Sequence, residues 1–439
     1  MKISLFTQIL QRKGFPVNQA SILLKQQQQI QEHNYAAFLE KKKAEIVRHH
    51  SKENANYKHF IGNTNISEWN NIPIMTKKDF QKPLSLRLSN GYSKNNVYIN
   101  KTSGSSGDPF FFAKDKFCHA LTWANIIDKF GAHGIDFNTS FQARFYGIPL
   151  DFKGNLKEQI KDFFSNRYRF SVFDLSDAYL EKVLKKFSAK KFDYINGYTS
   201  SIVQFAKYLN KKNIVLKDVC STLKCCIVTS EMLFEEDKIL LETQFGVCVI
   251  NEYGASELDL IAFQNPNGEW QVNTETLFVE IVDEKGNVLP NGEEGRIVIT
   301  SLYNKAHPFI RYDIGDMGIL DEKSTAKNTF LKKLTGRTND IAVLPSGKKA
   351  AGLTFYYITK SIIEDTGNVK EFVIKQTKID TFEIEYVSER ELNAFQVIEI
   401  EKAMTNYLEK GLKIHFYRKE KLTRSPSGKL KQFTSLVKQ

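Results

Sequence analysis

The segment TSGSSGDPFFF, running from Thr102 to Phe112, sets a threonine and three serines around Gly104 and Gly107. Successive backbone N–H groups and small hydroxyls can close around an oxyanion, and glycine permits close approach and positive φ. Thr102, Ser103, Ser105 and Ser106 add donors. A Ser/Gly turn between two strands would use the same residues. The segment is not the P-loop of the common NTPases, which needs Lys and Ser or Thr after its last glycine; here Gly107 is followed by Asp108-Pro109. Five later segments carry groups suited to a nucleotide. TSEML holds Ser230 and Glu231; NEYGASE holds Glu252, Tyr253, Gly254, Ser256 and Glu257; RYDIGD ends at Asp316; LTGRTND holds Arg337 and Asn339; SPSGK holds Lys429. Taken singly, Glu257 fits a solvated carboxylate, Arg337 a surface ion pair and Lys429 a tail lysine.

As an ordered set these segments resemble the adenylate-forming superfamily of acyl-CoA synthetases and adenylation domains. The nearest branch is that of phenylacetate–CoA ligases and their capsule-biosynthesis-like relatives. NIPIMTKKDF and NGYTSSIVQFAKYL look like that branch too, so the resemblance runs from about residue 70 to 435. It implies that Thr102, Ser103, Gly104, Ser105, Ser106 and Gly107 hold the β- and γ-phosphates of ATP. Ser230 and Glu231 would line the adenine, together with Glu252 and Gly254, and Tyr253 would stack on it. Ser256 would meet the α-phosphate, Glu257 hold Mg²⁺, and Asp316 grip the ribose hydroxyls. Arg337 would contact ribose and phosphate, Asn339 would stand at the hinge between two domains, and Lys429 would be the lysine needed for adenylation.

The chemistry suits these types. A carboxylate must attack the α-phosphorus of ATP, so two anions must be brought together. A metal on Glu257 and the ammonium of Lys429 cancel that repulsion, and lysine is a mobile point charge on a long stem. Rotation about position 339 would then withdraw Lys429 and admit a second nucleophile. Coenzyme A is the acceptor the resemblance implies; an amine or amino sugar, giving an amide, is the alternative, and a nucleotide-binding homologue without catalysis is a further one. Phe110, Phe111, Phe112, Phe145 and Tyr146 would suit an aryl or apolar acid, although the Phe run also reads as a buried strand. Two departures stand out. Asp108-Pro109-Phe110 offers no lysine next to the loop, and the hinge position is Asn339 rather than Asp or Lys. Some relatives carry a Cys/His zinc site after the Tyr-Gly segment; LDLIAFQNPNGEWQVNTETL has neither residue, so no structural zinc is expected.

Elements must place these groups. The first ninety residues read as helices, and NVYIN as a strand leading into the loop. FCHALTWANIIDKFGAHG reads as a helix. KFDYING, LKCCIVTSE and VCVINEYGASE read as strands, alternating with helices over YTSSIVQFAKYLNKK, which Thr and Ser could cap, and FEEDKILLETQFG, which Gly246 would end. That alternation predicts right-handed crossovers and a parallel sheet, whose ligands gather at the carboxyl ends of its strands. From 258 to about 335 alternating apolar and polar residues predict antiparallel sheet or a distorted barrel. FVIKQ, TFEIEYV, KIHFY and a helix over AFQVIEIEKAMTNYLEKG predict a closing α+β unit. The expected fold is therefore α/β: a large N-terminal domain, 1–338, with parallel sheets and a β-rich subdomain, and a small mobile C-terminal α+β lid, 339–439.

Bulk properties narrow the function classes. With 439 residues the chain exceeds one ordinary core. No apolar run is long enough for a membrane span, and MKISLFTQILQRKGFP reads as a helix rather than a signal peptide. The five cysteines are odd in number and lack C-x-x-C spacing, which points to free thiols in a reducing cytoplasm rather than a disulfide framework. The net charge of +12 is spread along the chain, so weak non-specific nucleic-acid binding is expected and no specific one. His49, His50, His119, His133, His307 and His415 show no metal-ligand spacing.

Overall fold

The structure is a computed structural model, and it describes residues 5–102, 110–146, 161–172, 174–337, 341–347, 349–351, 369–407, 409–424 and 430–437. The chain forms two compact units, Met1–Ile314 with Ile319–Lys332, and Gly315–Gly318 with Lys333–Gln439.

The first unit is built on a seven-stranded mixed sheet. Its strands are β3 (Gln142–Phe145), β4 (Arg167–Phe170), β5 (Tyr194–Tyr198), β6 (Cys225–Thr229), β7 (Cys248–Ala255), β8 (Asp259–Gln264) and β9 (Trp270–Val272), in the order β4-β3-β5-β6-β7-β8-β9. The pairs from β4 to β7 are parallel. Every residue of β5 and β6 is buried, as expected where both faces are covered and the strands read as near-continuous apolar runs. On one face Ala143, Phe145, Phe170, Val228 and Val249 pack with Phe187, Ile202, Phe205, Leu241 and Phe245, which lie in the helices Asp177–Ala189, Thr199–Lys211 and Glu235–Phe245. On the other, Tyr194, Ile227, Ile250 and Phe263 meet Phe130 of the helix Lys116–Gly131. Gly246 ends its helix in the left-handed region, at φ 67, where a side chain would be strained.

Two local expectations are corrected. After β7, which runs through NEYGA, β8 returns antiparallel beside it with a bulge between Tyr253 and Gly254. Residues 259–272 thus extend the parallel sheet rather than opening a separate one. The helix Thr199–Lys211 starts after Tyr198 with no side-chain cap of its own; the Glu231 carboxylate accepts from Ser200 N at 2.7 Å instead. An acid at a helix N-terminus also meets the favourable end of its dipole.

Before the sheet come the helices Leu5–Arg12, Val17–Gln28, Glu32–Glu53 and Ala55–Ile61. Val17, Ala20 and Leu24 pack on Ala120, Leu121 and Ala124. The strands β1 (Val97–Lys101) and β2 (Phe111–Asp115) form an antiparallel hairpin. The β-rich region holds β10 (Leu277–Val282), β11 (Glu294–Ser301), β12 (Tyr312–Leu320) and β13 (Leu331–Arg337), in that order; β12 and β13 carry the chain from the first unit into the second. The second unit has a hairpin of β14 (Ile341–Val343) and β15 (Lys349–Ala351). It also has a four-stranded sheet of β16 (Val369–Lys378), β17 (Thr381–Ser388), β18 (Lys413–Lys419) and β19 (Phe433–Ser435), ordered β18-β17-β16-β19. Phe372, Ile374, Phe382, Ile384 and Phe433 of that sheet are buried, as are Ile400 and Met404 of the helix Ala394–Tyr407. All five cysteines are free. Among the described residues no helix is long and apolar enough to cross a membrane.

Candidate active site

The Ser/Gly loop has a closed neck. Thr102 N donates to Phe110 O, and Phe110 N to Thr102 Oγ1, both at 3.0 Å. The hairpin β1–β2 therefore fixes both ends of the loop, while Ser103, Gly104, Ser105, Ser106 and Gly107 lie outside the described residues. The three phenylalanines alternate. Phe110 and Phe112 are buried and Phe111 is exposed. Phe110 stacks on Phe80 with ring centroids 5.0 Å apart, and Phe80 stacks on Phe309 at 4.8 Å. Phe145 belongs to the helix-covered core. Phe110, Phe112 and Phe145 are thus packing residues and do not line an acid pocket, because strand alternation turns them into the core.

A buried lysine stands further along the hairpin, opposite Tyr98. Lys114 of β2 is 2% exposed and forms an ion pair with Asp259, whose carboxylate also accepts from Thr122 Oγ1 at 2.6 Å. Burial lowers the Lys114 ammonium to about 8, and the nearby charge of Glu257 opposes that shift. Held this way it is an anchor inside the protein rather than a mobile cation. What it anchors is the turn from β7 to β8. Asp259 sits at φ 60, a region that costs a non-glycine residue free energy unless its surroundings hold it there. Gly254 packs so closely that a Cβ would lie 2.6 Å from Asp259 O.

This turn presents Glu257, which is 6% exposed. Its Oε1 accepts from the hydroxyl of Tyr312 at 3.0 Å. Tyr312 was missed in the sequence, although it lies inside RYDIGD. It is fixed by its neighbours: Met75 N donates to Arg311 O at 2.9 Å and Asp313 N to Met75 O at 2.8 Å, so NIPIM runs as a short parallel bridge beside β12. Arg311, 1% exposed, secures the crossing by donating to the carbonyls of Asn70, Ile72 and Gly286 and by pairing with Glu280. Asp313 pairs with Arg296 at 2.6 Å.

A second group of polar side chains stands at the carboxyl ends of β3, β5, β6 and β7. Ser230 follows β6 at φ 71, a strained conformation typical of functional turns. Glu231 is engaged by Ser200, as described, and its carbonyl accepts from Thr199 Oγ1. Glu252 is raised by burial, with the Thr229 hydroxyl and the Arg144 charge opposing. The Arg144 guanidinium lies over the Tyr146 ring at 4.0 Å, and that ring packs on Tyr198 at 4.7 Å. Tyr253 is buried, with its ring edge toward Trp270; Ser256 is exposed and Asp316 half-buried. Arg337 ends β13; its side chain, Asn339 and Lys429 lie outside the described residues.

No family model matches the chain. Protein CapK of Staphylococcus aureus is 23% identical over 379 residues, 83% of this chain and 79% of that protein. Phenylacetate-coenzyme A ligase of Pseudomonas putida is 25% identical over 261 residues, 56% of each. Among solved structures, 2-hydroxyisobutyryl-CoA ligase in the postadenylation state superimposes with a TM-score of 0.68 at 14% identity, covering 91% of this chain and 89% of that one. The amide bond synthetase McbA of Marinactinospora thermotolerans superimposes with a TM-score of 0.54 at 14% identity, covering 77% and 69%. Sequence relatives and solved structures thus agree in kind: the chain is similar in sequence to CapK and to phenylacetate-coenzyme A ligases, and it shares the fold of adenylate-forming CoA ligases.

Proposed function

We propose that the protein is an ATP-dependent ligase that activates a carboxylic acid as its acyl-adenylate and passes the acyl group to coenzyme A. The observation that carries this reading is Glu257: a carboxylate on an anchored turn at the head of the sheet, with one oxygen held by a buried tyrosine. A substrate carboxylate oxygen attacks the α-phosphorus, the bond to the β-phosphate oxygen breaks, and pyrophosphate leaves. The thiolate of coenzyme A then attacks the acyl carbonyl and expels AMP.

Mg²⁺ fits the residues present. This ion commonly takes one or two protein carboxylates, with phosphates and water completing an octahedron, and Glu257 has a second oxygen besides the one Tyr312 engages. When bound it would neutralise phosphate charge. Thr102, Ser103, Gly104, Ser105, Ser106, Gly107 and Ser256 would hold phosphates; Ser230, Tyr253, Gly254 and the backbones of Glu231 and Glu252 would line the adenine, which leaves the Glu252 side chain to the face of the sheet; Asp316 and Arg337 would take the ribose. Lys429 would face the α-phosphate during adenylation, and Asn339 would be the hinge. ATP, coenzyme A and free thiols suit a cytoplasmic protein. An amine acceptor is the second reading, supported by the likeness to an amide bond synthetase.

The test is acid-dependent exchange of labelled pyrophosphate into ATP over a broad carboxylate panel, followed by coenzyme A and amines on the best acid. Exchange with at least one acid is expected. Its absence over the whole panel would leave a nucleotide-binding homologue without catalysis.

A further inference from the structure

We propose that the acid this protein activates carries a neutral oxygen substituent, a hydroxyl or carbonyl, bound between Arg144 and Glu252. This rests on the acid-activation reading above. The two residues occupy the same face of the sheet. Arg144 stands opposite Asn196, Asn196 opposite Ile227, and Ile227 opposite Ile250; Glu252 lies two residues beyond Ile250, and side chains two apart share a face. It is the face covered by the helix Lys116–Gly131 that follows the Ser/Gly loop. Glu252 is five residues before Glu257 on the same strand-and-turn.

Arg144 is left unsatisfied in a way its neighbours are not. On the adjacent strand Arg167 and Arg169 both pair with Asp162. No hydrogen bond or ion pair among the described residues engages Arg144, whose Nε is shut off from solvent and has no partner; its guanidinium lies over the Tyr146 ring, and the charges of Asp162, Arg167 and Arg169 act on it only from a distance. Buried polar groups normally find partners, so an orphan asks for an explanation. Glu252 does not supply one. Arg144 is on β3 and Glu252 on β7, three strand spacings across and two residues along, or about 16 Å apart at the backbone. The two side chains share the face over β5 and β6 and form no ion pair among the described residues. Tyr146, Tyr198 and Thr229 lie between or beside them.

The charges choose the ligand. A plain alkyl or aryl group would bury both ions further and satisfy neither. A second carboxylate would pair with Arg144 and be repelled by Glu252, and an ammonium would do the reverse. A hydroxyl accepts from the guanidinium and donates to the carboxylate, and a carbonyl serves the first role without offending the second. A site built to bond such a group rejects the analogue lacking it far more strongly than an apolar pocket rejects an extra methylene.

The experiment compares pairs of acids with one carbon skeleton, with and without the hydroxyl or keto oxygen, in the exchange assay. Wild type is expected to favour the oxygenated member by at least about tenfold in kcat/KM for its best pair. Arg144→Met should bring that ratio close to one, through KM for the acid rather than KM for ATP, and Glu252→Gln should lower it for hydroxy acids more than for keto acids. Plain acids equal or better with wild type would overturn the proposal, a result that depends on no variant folding. So would a soluble Arg144→Met protein with an unaltered ratio. Exchange with plain acids alone sinks this inference and leaves acid activation standing; exchange with no acid sinks the activation reading itself.

Discussion

At the scale of single residues, the hydroxyl of Tyr312 decides how Glu257 is presented. A hydrogen bond to a charged group is worth about 1.5–3 kcal/mol. Tyr312→Phe should therefore lower exchange roughly tenfold or more and raise the Mg²⁺ concentration needed for half-maximal rate. An unchanged Mg²⁺ requirement would show that the contact only packs. Glu257→Gln keeps the shape and removes the charge, and should cost on the order of 10²-fold or more in exchange rate, by analogy with the loss of other preorganised electrostatic groups. The buried histidines have a separate part. His307 accepts from Arg87, and burial with that neighbouring charge keeps it neutral, which assigns it to the core rather than to chemistry.

At the scale of elements, a buried ion pair ties β2 and the helix Lys116–Gly131 to the turn that carries Glu257. Removing one partner of such a pair commonly costs about 3–5 kcal/mol, because the other charge is left buried and alone. Asp259→Asn leaves the Lys114 ammonium buried and alone and should lower the urea unfolding free energy by about that amount, and adding Lys114→Met should restore part of it. If the double variant is as unstable as the sum of the singles, the two residues do not act as a pair.

At the scale of the whole molecule, protonation of the core sets the acid limit. Burial holds the imidazoles of His50 and His119 near about 3, below the unfolded value of 6.5. Between those values the unfolded chain binds more protons, so stability rises with pH and is lost as pH falls below 6.5. Each histidine contributes up to about 1.4 kcal/mol per pH unit over that window. Urea midpoints should decline steeply from pH 6.5 to 4.5, and His50→Asn should flatten the decline if it folds; a wild-type midpoint independent of pH there would refute the assignment. Division into two units allows a split of labour in the reaction. Lys429→Ala should abolish adenylation yet largely spare consumption of preformed acyl-adenylate, measured as AMP release with coenzyme A. Equal loss of both half-reactions would argue against a lysine that withdraws.

The amino-acid sequence by itself determined the elements and their order. Continuous apolar runs at LKCCIVTSE and VCVINEYGASE sit between amphipathic helices, and only a parallel sheet covered on both faces buries such runs. Local chemistry also marked Gly246 as a helix end, and the family resemblance singled out Glu257 as a candidate metal ligand. What the sequence left open were facts of long-range pairing. Lys114 and Asp259 are 145 positions apart, and Tyr312 and Glu257 are 55 apart; nothing in either neighbourhood announces the other. Side-chain facing was equally hidden. The Phe run read as a possible pocket, yet the pleat sends Phe110 and Phe112 inward, while Arg144, one residue before Phe145, turns to the opposite face. Spacing along the chain records which groups are near in covalent terms. Which charges meet, and which is left without a partner, is set only when strands far apart in sequence lie side by side.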